Sequence, residues 1–221
     1  MHYTYTFCMS ARNESKIIIA NKNRLSSTAL KSAIESGGNY SVTLTDSGKD
    51  LLRKIKSVDP EIVALDIQLK DSNAYDVIKE IQKSGTRTRV LILSSFTHSY
   101  TINYMVKHGA SGYLPLDCDI RLLLKVIEDI ISKNRYYNKL ASKALVTAIA
   151  NNEIAVPELS EKQINFLQYC CTDMSYSEMA EKMKLSMRTI DWYRDVMFET
   201  FKLNNRTDLV LFALRTGLVT L

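Results

Sequence analysis

No apolar run in this chain approaches the about 18 residues that a membrane-spanning helix needs. The opening stretch, MHYTYTFCMSARNESK, has neither a hydrophobic signal region nor a cleavage site, and Met9 offers an alternative start. Residues 1–15 read as a polar, flexible tail, and a cytoplasmic protein with no membrane partner is expected. Cysteine is sparse. Cys8, Cys118, Cys170 and Cys171 form no CxxC pair, and the last two fall in a helical apolar pattern, where a free thiol behaves as a small hydrophobe. Reduced structural thiols fit this better than disulfides or a metal site. Histidine is sparser still, and no ligand spacing joins His2, His98 and His108. There is no glycine-rich phosphate loop and no nucleophile–base pair, so an enzyme has no support.

The chain is organised around Ser175 to Phe201, SYSEMAEKMKLSMRTIDWYRDVMFETF. Met179, Ala180 and Met183 give a narrow apolar face, and Ser175 with Glu178 three residues on makes a capping-box pattern. Lys184-Leu185-Ser186 breaks the period, and Ser186 or Thr189 can cap a second helix. Ile190, Tyr193, Met197 and Phe201 then form an inward stripe, leaving Arg188, Asp191, Trp192 and Asp195 on the other face. Two short helices with a tight turn are what a helix-turn-helix requires: the first crosses the DNA backbone and the second enters the major groove.

Leu159 to Val219 resembles the C-terminal DNA-binding domain of LuxR/NarL-type regulators. The landmarks are Leu159-Ser160, Glu178-Met179-Ala180, Leu185-Ser186, Arg188-Thr189-Ile190, Asn205-Arg206-Thr207 and the closing run from Leu209 to Leu214. The resemblance implies double-stranded DNA as partner, base contacts from Asp191, Trp192 and Asp195, and a dimer contact on the last helix, Thr207 to Thr216. Arg188 is placed for a phosphate, beside Thr189. Lys182, Lys184, Arg194, Lys202 and Arg206 are further candidates for backbone contacts. Trp192 suits either thymine methyls or a protein contact. The charge is unhelpful: from Ala155 onward there are eight bases and nine acids, a net of −1 in a chain of +5. That is a poor electrostatic footprint for DNA.

Upstream, apolar strands alternate with amphipathic helices. Strands are expected at Lys16–Ala20, Tyr40–Thr45, Glu61–Asp66, Arg89–Ser94 and Ser111–Leu114. Helices are expected at Leu25–Glu35, Ser47–Ser57, Asn73–Ser84, His98–His108 and Asp119–Lys133. Continuous apolar strands imply a parallel sheet covered on both faces, with its functional site at the carboxyl ends of the strands. EIVALDIQLKDSNAYDVI, VLILSS and GASGYL in this half resemble the receiver domain of response regulators. By that resemblance Asp66 stands at the phospho-acceptor position, Ser94 at the switch hydroxyl and Tyr113 at the switch aromatic. The fold class is therefore α/β: a five-stranded flavodoxin-like receiver over 16–133, a helical linker and hinge over 134–157, and a small all-α helix-turn-helix domain over 158–221. The whole resembles the NarL/FixJ architecture.

The same comparison exposes departures. The acidic pair that follows the first strand in the family falls on Asn21 and Lys22, and the lysine after the fifth strand on Leu116. The usual proline is Lys70 and the usual glycine Ala74. Mg²⁺ requires hard oxygen ligands, so no cofactor is expected. The expectation is a receiver that works without phosphorylation; conventional phosphorylation by a histidine kinase remains an alternative, since Asp66 and Ser94 are retained. Lys22 could set its ammonium beside Asp66, an attraction of roughly 4 kcal/mol at about 4 Å before desolvation, or could point to solvent. The expected function is a DNA-binding regulator acting as a homodimer. The rival is a receiver-like adaptor binding another regulator, favoured by Trp192, Asp191 and Asp195.

Overall fold

The computed structural model describes residues 14–136 and 157–219. The expected linker helix and most of the hinge, at 137–156, and the tail at 1–13 lie outside the described residues.

Five strands and five helices alternate: β1 (Ser15–Ala20), α1 (Arg24–Gly37), β2 (Tyr40–Thr45), α2 (Gly48–Val58), β3 (Ile62–Leu65), α3 (Ala74–Lys83), β4 (Arg89–Ser94), α4 (Ser99–Lys107), β5 (Ala110–Pro115) and α5 (Ile120–Lys133). The strands form one parallel sheet in the order β2-β1-β3-β4-β5. Successive side chains of a strand point to opposite faces, and both faces here are apolar. Ile17, Ile19, Ala64, Leu91, Leu93 and Leu114 pack against α1 and α5. Ile18, Ala20, Val63, Leu65, Ile92 and Tyr113 pack against α2, α3 and α4.

Four helices follow among the described residues 157–219: α6 (Glu161–Cys170), α7 (Tyr176–Met183), α8 (Met187–Phe201) and α9 (Arg206–Thr216). Capping boxes open two of them, Ser160 with Gln163 on α6 and Ser175 with Glu178 on α7. Lys184 ends α7 in a left-handed conformation at φ 55°, and Ser186 caps α8 by accepting from the Thr189 amide. Phe166, Leu167, Met179, Ile190, Met197, Leu209 and Ala213 close this smaller core.

The two halves are docked, and one apolar cluster runs from the α2–α4 face of the sheet domain into the helical domain. The last carbonyls of α9 have no partner within the helix, and the first domain supplies donors. The Thr216 carbonyl accepts from the Tyr75 hydroxyl at 2.8 Å and the Thr101 hydroxyl at 3.1 Å, and the Gly217 carbonyl from Asn73 Nδ2 at 2.7 Å. Tyr100, Phe201 and Phe212 stack edge and face across the joint, and the Tyr100 hydroxyl donates to the Pro157 carbonyl at 3.0 Å. Glu158 lies against three bases of the first domain: Lys79 at 2.8 Å, His108 at 3.3 Å and Lys107 at 3.6 Å.

Candidate receiver pocket and nucleic-acid interface

Asp66 stands directly after β3, at the carboxyl edge of the sheet. Its Oδ1 accepts from the buried Ser94 hydroxyl at 2.5 Å and from the Ile67 amide at 2.7 Å. Burial raises the Asp66 pKa; the Ser94 and Ile67 hydrogen bonds and the Lys22 charge pull the other way without winning. The structure thus brings Asp66 and Ser94 together.

The suggested Asp66–Lys22 contact does not form. The exposed Lys22 ammonium donates instead to Gln68 Oε1 at 2.6 Å. Physically, an ammonium that stays at the surface keeps its hydration, whereas one drawn in beside a buried carboxylate loses it. Gln68, two residues past Asp66, was not singled out from the sequence, and no spacing rule marks it. Asn21 is only 3% exposed, and its Oδ1 accepts from the Asn23 amide at 2.7 Å, shaping the turn into α1. Leu116 joins the apolar cluster beneath α1 and α5. Tyr113 is fully buried, its hydroxyl donating to the Phe96 carbonyl.

On the helix-turn-helix, Lys182, Lys184 and Arg188 are exposed. Thr189 lies beside its cap, 2.8 Å from the Ser186 hydroxyl. Arg194 is held within its own helix: it reaches Asp191 at 2.8 Å and Asp195 at 2.9 Å and lies over the Tyr176 ring. That clamp neutralises part of the acidity the sequence places on the reading face. Trp192 is 57% exposed, with Tyr193 as its ring neighbour at 5.3 Å. Arg206 is placed differently from the expectation of a backbone contact. Its guanidinium caps the end of α6, donating to the carbonyls of Cys170 at 3.1 Å and Thr172 at 2.7 Å. Arg188, Trp192 and Asp195 of α8 are exposed, while Phe201 at its far end is in the joint.

Among the described residues no helix is long and apolar enough to cross a membrane. Residues 17–128 match the response regulator receiver domain, and residues 157–213 match the bacterial regulatory proteins of the luxR family. The chain therefore belongs to the response regulators, in the NarL/FixJ family that joins a receiver to a LuxR-type helix-turn-helix; these are transcription factors rather than enzymes. Among its relatives, the transcriptional regulatory protein LnrK of Bacillus subtilis is 26% identical, over 91% of this chain and 97% of that protein. The Fimbriae Z protein of Salmonella typhimurium is 24% identical, over 89% and 95%. In fold, the chain is similar to the two-component response regulator RcsB in its complex with DNA, with a TM-score of 0.62 at 15% identity, covering 94% of this chain and 100% of that one.

Proposed function

We propose that this regulator binds duplex DNA as a homodimer through α7 and α8, and that its receiver works without phosphoryl transfer to Asp66. The observation that carries the second half is the chemistry around that carboxylate. Mg²⁺ binds through hard oxygens, mostly carboxylates. Beside Asp66 the chain offers an amide, Asn21, whose oxygen is already engaged, and a cation, Lys22. This donor set does not fit the ion. Leu116, where the family has a lysine, offers no charge to a phosphoryl oxygen.

DNA binding is supported by the family match, by the exposed bases Lys182, Lys184 and Arg188, and by the exposure of Trp192 and Asp195 on α8. One observation favours a second reading, a protein-binding adaptor: the exposed Trp192 sits among carboxylates that Arg194 only partly neutralises. Selection of duplexes from a random pool by the full chain separates the two. The expected result is an enriched two-fold sequence, lost in Arg188→Ala and retained in Asp66→Ala. Failure to enrich any sequence would favour the adaptor, and loss of binding in Asp66→Ala would restore phosphorylation control.

A further inference from the structure

Two adjoining cavities open at the carboxyl edge of the sheet, of about 660 and 510 Å³. Arg24 and Asp46 line both. The larger is also lined by Lys22 and Lys70, so three bases face one carboxylate there. Arg24 and Lys70 have no ion-pair partner among the described residues, and Lys22 spends its ammonium on a neutral amide oxygen. In the smaller cavity Lys54 and Asp50 pair with each other at 2.8 Å.

Asn21 supplies an independent observation. It is almost completely buried, it lines the smaller cavity, and its oxygen is committed to Asn23. Its Nδ2 has no hydrogen-bond acceptor among the described residues, although an amide nitrogen carries two donors. The nitrogen is open to the cavity, where an acceptor oxygen of a bound group can take the place of water. Beside it, the start of α1 adds the partial positive charge of a helix N-terminus. Where the family's pocket gathers carboxylates for a cation, this one gathers an amide donor and three cations.

From this we propose that the mouth of the receiver pocket is a metal-independent site for a small phosphate-bearing anion. Arg24, Lys22 and Lys70 would neutralise the phosphate charge, and Asn21 Nδ2 would donate to one of its oxygens. The cavities exceed a single phosphate, so a diphosphate, triphosphate or nucleotide fits better than the monophosphate ion. Asp46, which lines both cavities, disfavours a diffuse anion and favours one whose oxygens reach the donors directly. The inference rests on the reading of this pocket as one that does not take up Mg²⁺.

The test is titration calorimetry of the full chain with inorganic tripolyphosphate in EDTA, repeated with Mg²⁺ in place of the chelator. Saturable heat is expected in EDTA. It should weaken by about tenfold or more in Asn21→Asp, which exchanges a donor for a like charge, and in Lys22→Ala/Lys70→Ala, whose side chains are exposed and lie outside both cores. No heat in either buffer, or equal affinity in wild type and variants, overturns the site and leaves the phosphorylation-independent reading standing. Heat that needs Mg²⁺ and disappears in Asp66→Ala overturns both.

Discussion

Two of the hydroxyls that dock the domains converge on one peptide carbonyl, and removing these donors gives a quantitative test. Tyr75 and Thr101 place two hydroxyls on the Thr216 carbonyl at the end of α9, and the two hydroxyls lie 2.9 Å apart. Tyr75→Phe/Thr101→Val removes both while keeping the ring that tilts against Tyr104 and nearly the same volume at Thr101. In the docked form the carbonyl is then buried without a partner; in the undocked form water satisfies it. An unsatisfied buried acceptor costs about 1–3 kcal/mol, so roughly 2 kcal/mol, or about thirtyfold, is lost from docking alone. Neither core loses an apolar contact, so each domain keeps its own stability. Small-angle scattering should show a larger radius of gyration, and amide exchange should show lost protection at Val219, which donates to Ala213 just beyond α9. An unchanged radius with a single, uniformly lowered unfolding transition would refute the reasoning, because it would mean that the halves unfold as one unit.

Three further outcomes concern the receiver pocket, the joint and the helical domain. Burial raises the Asp66 pKa, so the folded state holds its proton more tightly than the unfolded one, and Asp66 lowers stability increasingly as pH rises through that window; Asp66→Asn should raise the melting temperature at pH 7, and a fall would contradict this. At the joint the sign is reversed. The Lys79 hydrogen bond holds Glu158 below the usual carboxylate value of 4.5, so docking should weaken as pH falls below 4.5, read as a growing radius of gyration that Glu158→Gln makes pH-insensitive in that range. Arg206→Ala should destabilise the helical domain by about 2 kcal/mol in urea, because the guanidinium donates to the carbonyls that end α6; reduced DNA affinity at unchanged stability would assign it to the DNA backbone instead.

Most of the fold was legible because its signals are local. The apolar runs at Lys16–Ala20 and Arg89–Ser94, the Ser47 and Ser175 caps and the Gly109 stop are properties of neighbouring residues, and the elements agree with the observed bounds to within one or two positions. Ser186 rather than Thr189 capped α8, a choice the sequence left open. At the site, local reading had less reach. Lys22 chose between Asp66 and Gln68 on hydration and geometry, which spacing does not encode. The Arg194 clamp was within reach, since Asp191 lies three residues before it on the same helix. Arg206 on the end of α6 and Tyr75 on Thr216 join residues far apart in the chain, and neither has a sequence signature.

The central claim, that this receiver operates without Mg²⁺-dependent phosphorylation of Asp66, is tested most directly by calorimetry of the full chain with Mg²⁺ and beryllofluoride, followed by sedimentation of the same sample. The account predicts no heat that depends on Mg²⁺ and a dimer present with or without the additives. Mg²⁺-dependent heat accompanied by a shift from monomer to dimer would contradict it, and would make Asp66 a working phospho-acceptor despite Asn21 and Lys22.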